Sequence, residues 1–240
     1  MNATDYQPPP TFLAACDTLN LSGIEPVVPR LTRFVELLLE TNQQFNLTAI
    51  REPGQAWLRH ILDSLSLRPY LGPAVAVIDV GTGGGLPGIP LAILEPDRSF
   101  TLMDATRKKV TFLRHVAEDM GLANVTVVHE RAETAGQQPL FRERFDLCLS
   151  RSVAPLPTLL EYMFPFIRTS GRILCMKGAA VHEEVQAAGH ANKILGGGPV
   201  QIHHPMPGIE DTAAVIEITK QRGTPDAYPR HPGIPKKTPL

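Results

Sequence analysis

A carboxylate running straight into a glycine-rich turn is the most chemically loaded stretch of this chain: Asp79-Val80-Gly81-Thr82-Gly83-Gly84-Gly85-Leu86-Pro87-Gly88. Five glycines in the eight positions 81–88 let backbone approach a ligand closely at the start of a helix. Gly83-x-Gly85-x-x-Gly88 matches the dinucleotide-binding pattern, a match that is weak by itself. Asp79 is more telling. An acid just ahead of the first glycine suits a ligand with a cationic part, and the amino-acid half and sulfonium of S-adenosylmethionine fit it better than a pyrophosphate does. A tight turn needing positive φ, with no ligand, is the alternative.

Other residues that could do chemistry fall where a doubly wound sheet presents its ligand, beyond the carboxyl ends of the strands. Asp104 ends an apolar run 23 positions after Gly81, where an acid can accept hydrogen bonds from ribose hydroxyls. Ala105 and Thr106 would line the same pocket. Capping the helix that follows is the other reading of Asp104, and both can hold. In Arg131-Ala132-Glu133, the small Ala132 leaves room for a flat base and Glu133 can meet its edge; a plain surface loop is the alternative. Arg151, in Ser150-Arg151-Ser152-Val153-Ala154-Pro155, can bind a phosphate or carboxylate, or pair with Asp79 or Asp104. This turn lacks the Asn/Asp-Pro-Pro-aromatic motif of amino-group methylating enzymes. Lys177 either points into the same crevice or snorkels at the surface. Arg107, Lys108, Lys109 and Arg114 crowd one helix after Asp104, as a solvated face or a phosphate-binding patch.

A scaffold that turns from strand to helix at each of these points is legible. Val75, Val77, Ile78 and Val80 predict a strand buried on both faces, and Pro87 stands where a helix begins. Further strands are expected over Ser99–Asp104, Val125–His129, Phe145–Leu149, Arg172–Met176, Val200–His204 and Ala213–Thr219. Helices are expected over Thr106–Met120, Leu156–Ile167 and Ala179–Ala191. The alternation predicts an α/β, doubly wound, mostly parallel seven-stranded sheet. Its last two strands, with only a short loop between them, form an antiparallel hairpin at one edge.

Residues 12–72 read as an N-terminal helical extension capping the sheet. Leu31, Phe34, Val35, Leu38 and Leu39 recur at helical spacing, and Trp57, Leu58, Ile61, Leu62 and Leu65 form a second amphipathic run. Residues 73–220 form the ligand-binding domain. Residues 1–11, with three prolines, are expected to be disordered. Residues 221–240 hold five prolines, with Arg222, Arg230, Lys236 and Lys237 against a single Asp226. This basic tail is either floppy or an arm that touches phosphates.

Composition narrows the classes. A 240-residue chain with 43% hydrophobic residues can bury a sizeable core. No apolar run reaches membrane-spanning length, and Asp5 among the early prolines argues against a signal peptide. Three scattered cysteines without a Cys-x-x-Cys pair favour a reducing, cytoplasmic setting. The eight histidines show no metal spacing, so no metal is expected, and no Ser-His-Asp arrangement is visible. A net charge of −1 means that any RNA contact must come from local basic patches.

Several motifs together resemble one family. They are Asn46-Leu47-Thr48-Ala49-Ile50, Arg59-His60-Ile61-Leu62-Asp63-Ser64-Leu65, the stretch from Asp79 to Pro90, Asp104-Ala105-Thr106-Arg107-Lys108-Lys109 with Phe112-Leu113, Ala132-Glu133, Arg151, and Lys177-Gly178. Tyr228-Pro229-Arg230-His231-Pro232-Gly233-Ile234-Pro235 and Lys236-Lys237-Thr238-Pro239-Leu240 complete the set. Over residues 25–240 the chain resembles the small-subunit ribosomal RNA methyltransferase G family, also called glucose-inhibited division protein B. The resemblance implies a class I, Rossmann-like methyltransferase that moves a methyl group from S-adenosylmethionine to N7 of one guanine in 16S rRNA, near the decoding region. It implies cofactor contacts at Gly81, Leu86, Asp104, Ala105, Thr106, Ala132, Glu133 and Arg151, beside Asp79 and Gly83 of the turn. It makes Arg107, Lys108, Lys109, Lys177, Arg230, Lys236 and Lys237 the expected RNA-binding set, with the 30S subunit as partner and the protein a monomer. Ala105 stands where the family often has serine, and serines flank Arg151 where an alanine is common. No residue is expected to act as a catalytic acid or base, because guanine N7 offers a lone pair and carries no proton. A nicotinamide-dependent oxidoreductase, a small-molecule methyltransferase and a non-catalytic RNA-binding module are the competing functions.

Overall fold

The β-branched run after Ala74 becomes β1 (Ala76–Val80), the strand around which the others assemble. The computed structural model describes residues 6–19, 21, 23–206 and 214–240. Along the chain follow β2 (Ser99–Asp104), β3 (Val125–His129), β4 (Phe145–Arg151), β5 (Ile167–Lys177), β6 (Gly197–His203) and β7 (Ala214–Lys220). They form one seven-stranded sheet in the order β3-β2-β1-β4-β5-β7-β6. β1 to β5 pair in parallel, and β7 runs antiparallel to both β5 and β6. The strand order reverses between β1 and β4, which opens a crevice at their carboxyl ends.

Helices cover the sheet on both faces. Before β1 come α1 (Pro10–Thr18), α2 (Val28–Asn42), α3 (Pro53–Ala56), a π-helical stretch Trp57–Leu62, and α4 (Asp63–Leu65). Between strands lie α5 (Gly88–Leu94), α6 (Arg107–Asp119), α7 (Ala132–Ala135), α8 (Leu156–Met163), α9 (Val181–Ala187) and α10 (Gly189–Leu195). A short α11 (Ile234–Lys237) lies in the tail. Strand periodicity sends alternate residues to opposite layers. Val77, Leu147, Leu149, Leu174 and Met176 meet the layer formed by α2, the Trp57–Leu62 stretch, α5 and α6. Ile78, Cys148, Ile173, Cys175 and Ile216 meet the layer formed by α8 and α10. The N-terminal extension therefore belongs to one core layer of the sheet.

Several expectations are corrected. Residues 1–5 lie outside the described residues, but from residue 6 the chain is placed: Tyr6 is buried, its carbonyl accepts the Trp57 indole N–H at 2.7 Å, and Phe12 packs edge-on against Trp57 at 4.6 Å. β5 starts at Ile167, five residues earlier than its apolar core, and the helix expected over 179–191 is two, α9 and α10. The last strand starts at Ala214, and Ala213 lies outside the described residues. The tail is not floppy. Arg142 donates to the carbonyls of Thr224 and Tyr228 at 2.7 and 2.8 Å, and the Thr158 hydroxyl donates to the carbonyl of Pro235 at 3.1 Å.

Candidate active site

The glycine turn is built from below by Asp79. Its Oδ2 accepts the Thr82 hydroxyl at 2.7 Å and the Gly88 N–H at 2.9 Å, stapling both ends of the loop. Its Oδ1 is buried without a hydrogen-bond partner among the described residues. Burial pushes the Asp79 carboxyl up to about 6, with the bonds from Thr82 and Gly88 and the Arg151 charge opposing. The expectation that Asp79 greets a cationic ligand directly is corrected: it has no exposed surface and holds the loop instead. Gly81 turns at φ +71°, and a Cβ there would lie 2.5 Å from Val153 Cγ2. The Gly81 and Thr82 N–H groups both donate to Met103 O, at 2.9 and 3.1 Å, locking the turn onto β2.

A cavity of about 300 Å³ opens above this turn at the carboxyl ends of β1 to β4. Of the expected cofactor residues, Gly81, Asp104, Ala105, Ala132 and Glu133 line it. Asp104 serves both of its readings at once. Its Oδ2 accepts the Gly83 N–H at 3.0 Å and its Oδ1 accepts the Thr106 N–H at 2.7 Å, so one carboxylate ties the glycine turn to the start of α6. Each oxygen retains a lone pair for a further donor. Gly83 and Thr106 are thus backbone partners of Asp104 rather than cavity wall. Leu86 is buried in the apolar layer under the loop.

Arg151 also turns away from this cavity. Its Nη1 donates to the Arg59 carbonyl at 3.0 Å, and its Nη2 lies 3.0 Å from His60 Nδ1. His60 Nδ1 also lies 3.0 Å from the Arg59 carbonyl, and its Nε2 is hydrogen-bonded to the Thr48 hydroxyl at 2.7 Å. Burial and then the Arg151 charge pull His60 down to about 4, keeping it neutral. Asp63 next to it is pushed up to about 6 by burial, against the pull of Arg151 and Arg59. The Arg59–Ser64 stretch therefore seats Arg151.

The turn after β4 divides the space. Ser152 takes a left-handed φ of +57°, which directs Val153 over Gly81. Val153 is shared by the first cavity and a second, of about 520 Å³, lined also by Pro155, Met176, Lys177 and Gly178. The two cavities adjoin at Ser152 and Val153, an arrangement that can hold a donor and an acceptor side by side.

The basic residues fall into two groups. Arg107, Lys108, Lys236 and Lys237 are exposed, and Lys109 lines the first cavity. Lys177 and Arg230 are corrected from free phosphate ligands to internal partners. Lys177 Nζ donates to Glu184 Oε2 and Ala154 O, both at 2.7 Å. Arg230 forks onto the fully buried Glu161. Sequence reasoning missed Tyr162, which lines the first cavity from α8. The available signal was its place on the helix that packs behind Ala132-Glu133. Among the described residues, no group of three or more His, Cys, Asp and Glu could hold a metal, and no helix is long and apolar enough to cross a membrane.

Comparison with known proteins agrees with this geometry. The family model for rRNA small subunit methyltransferase G matches residues 28–210. The chain is similar to ribosomal RNA small subunit methyltransferase G of Alkaliphilus metalliredigens, 41% identical over 94% of this chain and 95% of that protein. It is similar to the protein of the same name from Desulforamulus reducens, 43% identical over 87% of this chain and 88% of the relative. Among solved structures, a SAM-dependent O-methyltransferase from Thermotoga maritima superposes with a TM-score of 0.52 at 14% identity, over 78% of this chain and 72% of that one. That last likeness shows the class I methyltransferase fold.

Proposed function

Because the chain belongs to the ribosomal RNA small subunit methyltransferase G family, we propose that it moves a methyl group from S-adenosylmethionine to N7 of one guanine in the decoding region of 16S rRNA. The observation that carries the reading is the convergence of the bare Gly81 turn, the Asp104 carboxylate and Ala132-Glu133 on one cavity at the strand switch point. The residues fit the cofactor. A cavity of about 300 Å³ is within the range of small-molecule sites. Asp104 has acceptor capacity for ribose hydroxyls, Ala132 leaves room for a base, and the Glu133 carboxylate can accept from its edge.

When bound, S-adenosylmethionine supplies an electrophilic methyl on a sulfonium. The chain's own task is placement. Asp79 and Asp104 fix the glycine turn, and Val153 marks the boundary at which donor and acceptor meet. Guanine N7 attacks with a lone pair, so no residue is assigned to proton transfer. Holding the two reacting atoms in line is the main source of acceleration. Arg107, Lys108, Lys109, Lys236 and Lys237 are the assigned RNA-facing charges. In this reading the protein is a cytoplasmic monomer that meets the 30S subunit.

The test is transfer of radiolabelled methyl to 30S subunits and to deproteinised 16S rRNA from cells lacking the gene. Label in a single guanine, cleavable by N7-specific chemistry, is the expected result. Cofactor binding without label in either RNA would point to a small-molecule acceptor.

A further inference from the structure

The tail reaches back to the wall of the first cavity. Glu133 stands between that cavity and a groove under residues 226–234, and lines both. Its Oε1 accepts the Gly233 N–H at 3.0 Å. Gly233 presents that N–H at φ +86°, a backbone shape that favours glycine. The segment is clamped one turn earlier: the Arg230 N–H and Nε donate to Glu161 Oε1 at 2.8 and 2.9 Å, and Nη2 donates to Glu161 Oε2 at 2.6 Å. Glu161 has no exposed surface, and its neighbour Tyr162 lines the first cavity. Gln137 donates to the carbonyls of Asp226 and Pro229 at 3.1 and 2.9 Å, closing the far side of the groove.

We propose that Arg230 and Gly233 are positioning residues of the cofactor site, acting through Glu161 and Glu133, so that tail docking and cofactor binding strengthen each other. This rests on the reading of the first cavity as the cofactor site. The physical argument is that a flexible Glu side chain must be held in one rotamer to present an oxygen to a ligand. Gly233 engages Oε1 and leaves Oε2 available to a further donor. The Arg230–Glu161 fork fixes Gly233 in turn, because a bidentate guanidinium–carboxylate pair sets orientation as well as distance. Reciprocity follows: whatever affinity the docked tail adds to the cofactor, the cofactor must add to tail docking.

The experiment uses the full chain and S-adenosylhomocysteine as probe. Titration calorimetry compares the parent with Arg230→Ala and Arg230→Lys, and amide hydrogen exchange follows Gly233 in the parent with and without probe. The expected result is a loss of affinity of about tenfold in Arg230→Ala, with partial recovery in Arg230→Lys. Saturating probe should slow exchange at the Gly233 amide in the parent by a similar factor. Unchanged affinity in an Arg230→Ala protein whose Gly233 exchanges fast would overturn the proposal. Unchanged Gly233 exchange in the probe-saturated parent would overturn it equally, and does so even if the variant does not fold. A parent that binds no probe at all removes the cofactor reading itself, a separate result from either.

Discussion

Substituting Gly81 tests how the turn and the Val153 divider work together. Alanine at φ +71° pays about 1–2 kcal/mol for the left-handed backbone. In a domain of this size that lowers Tm by roughly 2–8 °C. The new Cβ would also lie 2.5 Å from Val153 Cγ2, where carbon pairs rest at about 3.5–4.0 Å. Val153 sits on a partly exposed turn, so it yields by about 1 Å, and it yields at the boundary of the cofactor cavity. Affinity for S-adenosylhomocysteine should fall at least about tenfold, or ~1.4 kcal/mol. Adding Val153→Ala removes both γ-methyls and leaves its Cβ at 3.5 Å, an ordinary contact. The double variant should therefore regain affinity while its Tm stays low, because the backbone cost remains. Calorimetry and thermal unfolding of both single variants and the double close the cycle. An affinity within twofold of the parent in Gly81→Ala, or a double variant as weak as the single, would refute the reasoning.

Three other perturbations read separate parts of the site. Asp79 binds its proton more tightly folded (about 6) than unfolded (3.8), so its burial penalty is full above pH 6 and gone below 3.8. Asp79→Asn should therefore be more stable than the parent at pH 7.5, by up to about 3 kcal/mol, and the two should converge near pH 4 in urea titrations; a pH-independent difference would contradict this. Asp104→Ala strands the Gly83 and Thr106 N–H groups and removes the proposed ribose acceptor, so S-adenosylhomocysteine should bind at least about tenfold more weakly in calorimetry. Removing Lys236 and Lys237 should flatten the salt dependence of 16S rRNA binding by about 0.7–0.9 per lost phosphate contact, whereas Lys177→Met should leave the slope alone, its charge being spent on Glu184.

The sheet was readable where burial and strand period coincide. Ser99–Asp104 and Val125–His129 match their expected bounds because each ends at a polar residue or a turn. β5 was underrun because Arg168, Thr169, Ser170 and Gly171 carry no apolar alternation, and a register shift between Phe145 and Leu147 lets them extend the strand. The site was readable as a set of strand ends but not as side-chain directions. Asp79 and Arg151 have the right chemistry and the right address, yet one points under the loop and the other into the Arg59–Ser64 stretch. The Thr82 and Gly88 donors decide the direction of Asp79, and the packing of the N-terminal extension decides that of Arg151. The docking of the tail was not legible: five prolines and four basic residues leave a floppy segment and a phosphate-touching arm equally open, while the partners that hold it, Arg142, Glu161 and Glu133, lie 69 to 100 positions earlier.

The placement of β7 between β5 and β6 carries a consequence for how the molecule is made. β5 is an eleven-residue strand with β4 on one side, and on its other side residues 172–177 pair with β7. A ribosome thus synthesises an inner strand after the edge strand that flanks it. Until residue 220 has emerged, the nascent chain exposes a long sheet edge that can template pairing with another chain. β7 closes that edge, and folding of this half must wait until residue 220 has been made. Chains cut short before residue 214 should accordingly be lost to aggregation or proteolysis, and not accumulate as half-active fragments.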